Sequence, residues 1–159
     1  MELFSNKKVS AILFHGEKLA YGRDGFVNIL KSLKNQNKPF ADVTIISDSG
    51  FDTSNCKLEK VNVQKGNLEN ISGELKKAVA NAAGDYVTII DNRNAEVLLK
   101  QAYTETLLMT MARKPEAGMI YGDYDLKTDA GIKEKHLLKH HIGRVRDNMD
   151  FGKVYFYKK

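Results

Sequence analysis

The chain has 159 residues, 42% of them hydrophobic and 28% charged, which is the length and balance of one globular domain over residues 1–159 rather than a disordered tail. Its apolar runs are only strand-length, residues 1–8 lack an apolar signal core, and the one cysteine, Cys56, excludes an internal disulfide. A cytoplasmic domain without a transmembrane segment is expected, and a net charge of +5 with a pI near 9.2 favours anionic partners.

In chain order, Val9 to Phe14 reads as a buried strand. Phe26, Ile29, Leu30 and Leu33 follow at the spacing of one helix face, and Pro39 stops that helix. Val43 to Ile46 is a second strand, ending in the loop signal Ser47-Asp48-Ser49-Gly50. Val61 to Val63 is short enough for a minor third strand. Ile71, Leu75, Val79 and Ala82 share a helix face closed by Gly84. Tyr86 to Ile90, apolar and β-branched, is the clearest strand and ends at Asp91. Asn94 is placed to cap the next helix, with Glu96 in its first turn and an apolar stripe of Leu99, Tyr103, Leu107 and Met111 ending before Pro115. Gly118 to Tyr121 opens another strand, Asp129-Ala130-Gly131 marks a turn, and Val154 to Tyr157 reads as a final strand. This alternation predicts an α/β fold: a mostly parallel, Rossmann-like sheet with helices on both faces.

Ligands of such sheets bind at the carboxyl ends of the strands. Three strand ends here are polar: His15-Gly16-Glu17, Ser47 to Asp52, and Asp91-Asn92-Arg93-Asn94. Acidic residues at two parallel strand ends, each leading toward a helix, point to a binding site.

At these positions the chain resembles the family 2 glycosyltransferases, which have the GT-A fold. Val9-Ser10-Ala11-Ile12 is similar to the family's opening strand, and Ser32-Leu33-Lys34-Asn35-Gln36 to its Ser-Leu-x-x-Gln helix end. Ile45 to Asp52 resembles the Val-Val-Asp-Asp-Gly-Ser-x-Asp loop, and Ala83 to Asp91 resembles Ala-x-Gly-Glu-Tyr-Ile-x-Phe-Leu-Asp. The resemblance implies that the chain is the nucleotide-sugar-binding part of such an enzyme, with a uridine diphosphate sugar as partner. It places Asp48 as the carboxylate accepting a hydrogen bond from the uracil ring, a role that suits an acceptor-only group. His15 and Glu17 fall in the loop that packs against the base, without the usual Pro and Tyr. Asp91 matches the first aspartate of the family's Asp-x-Asp-Asp signature, near the ribose and diphosphate.

The signature's last two aspartates are replaced by Arg93 and Asn94. One of them normally holds the Mg²⁺ or Mn²⁺ that bridges the diphosphate, and Mg²⁺ wants carboxylate and phosphate oxygens. Arginine cannot ligate a metal, and Asn94 offers only a neutral oxygen. The set Asp91 and Asn94 is therefore a degenerate metal site, while Arg93 has a donor fork suited to phosphate oxygens. The chain also stops at Lys159, before the family's acceptor-binding part and its catalytic base, so no catalytic residue is assigned.

Among the remaining features, His136 and His140 are four apart, with His141 beside them, but lack an HExxH pattern and read as exposed histidines. Cys56 reads as incidental, and Asp123-Tyr124-Asp125 as structural. The lysine pairs Lys7-Lys8, Lys76-Lys77 and Lys158-Lys159 are scattered, and no nucleic-acid motif accompanies them, so no nucleic-acid partner is expected. The alternative to a transferase is a non-catalytic domain of the same fold that docks a nucleotide, a glycan, a sister domain or an oligomer partner.

Overall fold

A computed structural model describes residues 6–55, 58–137 and 150–159. Its elements are β1 (Val9–His15), α1 (Gly22–Lys34), β2 (Val43–Ser47), a 3-10 turn (Thr53–Asn55), β3 (Val61–Lys65), α2 (Ser72–Asn81), β4 (Tyr86–Ile90), α3 (Tyr103–Arg113), β5 (Met119–Ile120), β6 (Tyr124–Thr128), β7 (Gly131–Lys135) and β8 (Val154–Lys158). Six strands form one sheet in the order β3-β2-β1-β4-β8-β5. The first four of these run parallel, and β8 returns antiparallel to both β4 and β5. The expected mostly parallel α/β sheet is therefore present. No helix among the described residues is long and apolar enough to cross a membrane.

The central strands β1 and β2 are buried almost throughout because both faces are covered. Ala11, Leu13, Val43 and Ile45 face the α1 stripe of Phe26, Ile29, Leu30 and Leu33. Their neighbours Ile12, Phe14 and Ile46 face the opposite side, against Ala78 and Ala82 from α2 and the turn after it. Leu107, Leu108 and Met111 of α3 pack on Val9, Tyr86 and Phe156, on the α1 side. Helices thus lie on both faces, with α1 and α3 sharing one.

Two tethers fix how the strands stack. A Cβ on Gly84 would stand 2.7 Å from the Ser10 backbone nitrogen and 2.9 Å from the Lys8 carbonyl oxygen, so only glycine permits this approach of the β4 lead-in to β1. The Gly84 N–H donates to Ser10 Oγ at 2.8 Å, and Ser10 Oγ donates in turn to the buried Asp42 carboxylate.

One local reading needs correction. Asn94 caps no helix: residues 95–102 form neither helix nor strand and are bonded to α1 through Asn28 and Ser32, and α3 begins only at Tyr103. The reason is distant in sequence. Gln36 Oε1 accepts from the Thr104 backbone N–H at 3.1 Å, so the capping oxygen comes from α1's end. The turn expected at 129–131 is present, but it joins a two-stranded hairpin, β6–β7, which lacks the alternating pattern of a strand with one buried face.

Candidate functional site at the carboxyl ends of the strands

His15 closes β1. Its Nδ1 lies 3.1 Å from Ser47 Oγ, and its ring packs at 4.8 Å against both Phe26 and Phe51. With the Phe26–Phe51 contact at 5.2 Å, the three rings form a continuous aromatic wall. Burial in this wall lowers the His15 pKa, although the nearby Asp48 and Glu17 charges oppose it. A cleft of about 750 Å³ opens on the wall, bounded by His15, Glu17, Phe26 and Phe51 and, further along α1, by Leu30 and Lys34.

Beside this cleft, Asp48 leaves the end of β2 and lies over Gly16. Both carboxylate oxygens would be 3.1 Å from a Cβ at residue 16, and Leu68 Cδ1 would be 2.9 Å away. A side chain there would displace the carboxylate. Asp48 is exposed and, among the described residues, makes no hydrogen bond or ion pair. Glu17 is exposed at the cleft's edge.

The end of β4 is organised by a residue that sequence reading passed over. Asn92 is fully buried; its Oδ1 accepts from the Phe14 N–H at 2.8 Å, and its Nδ2 donates to the Phe14 carbonyl at 2.7 Å and to the Tyr21 hydroxyl at 2.6 Å. This strap fixes the 91–94 loop against β1 and α1. Burial pushes the Tyr21 hydroxyl pKa up to about 12, with the Asn92 bond opposing the rise.

On either side of Asn92, Asp91 and Arg93 form a two-point pair: Arg93 Nε donates to Asp91 Oδ1 at 2.8 Å and Nη2 to Oδ2 at 3.0 Å. Arg93 Nη1 reaches the Leu68 carbonyl at 3.4 Å, and the guanidinium stands 5.3 Å from the centre of the Phe14 ring. Burial alone would raise the Asp91 pKa; the Arg93 hydrogen bonds and charge outweigh it, and the carboxyl is held below its ordinary value. Lys153 stands on the other side, its carbonyl oxygen accepting the Asp91 N–H at 2.7 Å and its charge adding to the lowering. Asn94 is exposed and makes no hydrogen bond among the described residues.

The structure thus places His15 and Glu17 on the cleft, Asp48 beside it over Gly16, and Asp91 with Arg93 at the next strand end. It adds Asn92, Lys153 and the Phe26–Phe51 wall. Lys153 has no local sequence signal that links it to Asp91; only the antiparallel β8 brings it there. The histidine group is only partly described, since His140, His141 and Cys56 lie outside the described residues. His136 Nδ1 is 2.9 Å from Asp123 Oδ2, and Asp125 pairs with Lys100 at 2.9 Å, so both acids of Asp123-Tyr124-Asp125 have protein partners. Among the described residues no group of three or more His, Cys, Asp or Glu is placed to hold a metal ion.

No family model and no curated protein sequence matches the chain. Solved structures do. S. aureus TarS 1–349 is 18% identical with a TM-score of 0.54, over 95% of this chain and 47% of that one. The same TarS piece in complex with UDP gives 17% and 0.51, over 95% and 46%. A CMP:2-keto-3-deoxy-manno-octonic acid synthetase complexed with CTP is 10% identical with a TM-score of 0.59, over 95% of this chain and 74% of that one. The chain spans just under half of TarS 1–349 and 21% of a longer TarS chain. At these identities the likeness is one of fold: this chain shares its α/β architecture with a protein solved with UDP and a synthetase solved with CTP.

Proposed function

We propose that this chain is the donor-binding part of a glycosyltransferase and holds a nucleoside diphosphate sugar, of the uridine type, at the carboxyl ends of β1, β2 and β4. The acceptor and the sugar are left open. The observation that carries the reading is the Asp48 carboxylate, which lies over Gly16 beside an aromatic-walled cleft and, among the described residues, makes no hydrogen bond or ion pair. An ionised carboxylate only accepts hydrogen bonds, and a uracil ring offers an N–H donor. His15 and Phe51 supply apolar ring surface for a base, while the Asp91–Arg93 pair lies at the neighbouring strand end, on the diphosphate side of such a ligand. The fold shared with the UDP complex of TarS supports the same reading.

The Asp91–Arg93 pair also favours a second reading, a nucleotide- or glycan-binding domain without transfer activity, because the carboxylate is already neutralised by the chain itself. Calorimetry with uridine diphosphate, cytidine diphosphate and uridine monophosphate tests the donor site. Uridine diphosphate is expected to bind best; no binding of any uridine nucleotide at millimolar concentration rejects the donor-site reading. Incubation with uridine diphosphate sugars, with free nucleotide release followed, then separates an enzyme from a binding domain.

A further inference from the structure

A divalent cation, which a diphosphate-sugar site of the resembled family implies, does not fit the residues at the end of β4. Asp91 is the carboxylate there, and both of its oxygens already accept from Arg93, at 2.8 and 3.0 Å. A metal would have to displace a charge-assisted, two-point pair. The next candidate ligand, Asn94, carries no charge, and among the described residues no further His, Cys, Asp or Glu completes a set. A bound diphosphate still needs its charge offset.

We propose that Arg93 and Lys153 together take the place of that cation and make diphosphate binding independent of metal. The inference rests on the donor-site reading above. A divalent ion on one carboxylate leaves a single net positive charge, and so do Arg93 and Lys153 around Asp91. Arg93 supplies direction. It spends two donors on Asp91 and one on the Leu68 carbonyl, and stands over the Phe14 ring, so its plane is held and its remaining N–H groups are available to phosphate oxygens. Lys153 supplies the excess charge. Its backbone is strapped to β4 by the 2.7 Å bond from the Asp91 N–H, while its side chain is exposed and, among the described residues, forms no hydrogen bond or ion pair. The same arrangement explains why an arginine stands two residues after Asp91: a second aspartate there would leave two carboxylates facing a diphosphate without a cation between them.

The test is calorimetry of uridine diphosphate and of uridine with wild type, Arg93→Ala, Lys153→Ala and Arg93→Asp, each with EDTA and with Mn²⁺. Wild-type affinity for uridine diphosphate is expected to be the same with EDTA as with Mn²⁺. Arg93→Ala and Lys153→Ala are each expected to weaken it by about tenfold or more, the loss of one charge-assisted contact, while uridine binding is unchanged. Arg93→Asp is expected to bind uridine diphosphate only when Mn²⁺ is added. Because Lys153 is exposed, its alanine variant keeps the fold and keeps the test open if Arg93→Ala unfolds. Wild-type binding that needs Mn²⁺, or alanine variants that bind like wild type, overturns this inference and leaves the donor site standing. Absence of uridine diphosphate binding under every condition overturns both.

Discussion

Gln36, just beyond the end of α1, holds the start of α3: its Oε1 accepts from both Thr104 N and Thr104 Oγ1 at 3.1 Å, and its Nε2 donates to the Ser32 and Lys100 carbonyls at 3.0 Å. Gln36 is 6% exposed, and its two bonds to Thr104 are buried. Ser32 Oγ adds a bond from the Leu99 N–H at 3.2 Å. The Ser-Leu-x-x-Gln helix end therefore acts as a clamp on the 95–104 segment, which leads away from the candidate site.

Gln36→Leu fills the same space without polar atoms. It leaves the buried Thr104 N–H unpaired, so α3 loses its cap. The expected cost is about 1–3 kcal/mol, the range for leaving a buried helix-cap donor unpaired. Urea unfolding is the measurement: the midpoint falls while the slope stays the same.

Two glycine substitutions are expected to act in opposite directions. At Gly84 a methyl group meets only backbone atoms, at 2.7 to 2.9 Å, and none of them can move without parting β4 from β1. Gly84→Ala is expected to destabilise by about 1–3 kcal/mol, the range for overpacking. Gly73, in the first turn of α2, has nothing within 4 Å of its Cβ direction. Gly73→Ala is expected to stabilise by about 0.5 kcal/mol by restricting the unfolded chain. Thermal melts of both variants beside wild type check the pair.

Asp48→Ala is expected to weaken uridine nucleotide binding by about 1.5–3 kcal/mol, the range for a hydrogen bond to a charged group, and to leave the melting temperature unchanged. The carboxylate is exposed and makes no hydrogen bond or ion pair among the described residues, so a loss of affinity reports on the ligand. Asp48→Asn, which keeps an acceptor but drops the charge, should fall between the two. Equal affinity in all three proteins removes Asp48 from the site.

The two described histidines should titrate on opposite sides of the ordinary value of 6.5. Burial against Phe26 and Phe51 lowers His15, so the folded state favours its neutral form. Its contribution to stability is fully present above pH 6.5 and is lost as pH falls through the folded pKa. The Asp123 hydrogen bond raises His136, with the Glu134 and Asp123 charges adding to it. That contribution is present below pH 6.5 and is lost as pH rises through the raised value. Proton NMR of the imidazole signals measures both, and Asp123→Asn is expected to lower the His136 midpoint while leaving His15 unmoved.

The sequence by itself determined the order of β1, α1, β2, α2 and β4, the parallel core they form and the polar strand ends at residues 15–17, 47–52 and 91–94. Each of these rests on local physics: a helix or a doubly buried strand is marked by the spacing of its own apolar residues, and ligand loops follow from strand direction. The tertiary structure alone decided what depends on contacts between residues far apart in the chain. Asn94 is a good cap by composition, yet α3 starts at Tyr103 because Gln36 delivers the capping oxygen from α1. Arg93, read from sequence as a donor to phosphate, is first of all a partner of Asp91. Asn92 holds the loop through Phe14 and Tyr21, contacts that no spacing encodes. Lys153 reaches Asp91 only because β8 turns back antiparallel beside β4, and so the charge of the candidate site is set by a residue that the sequence places far from it.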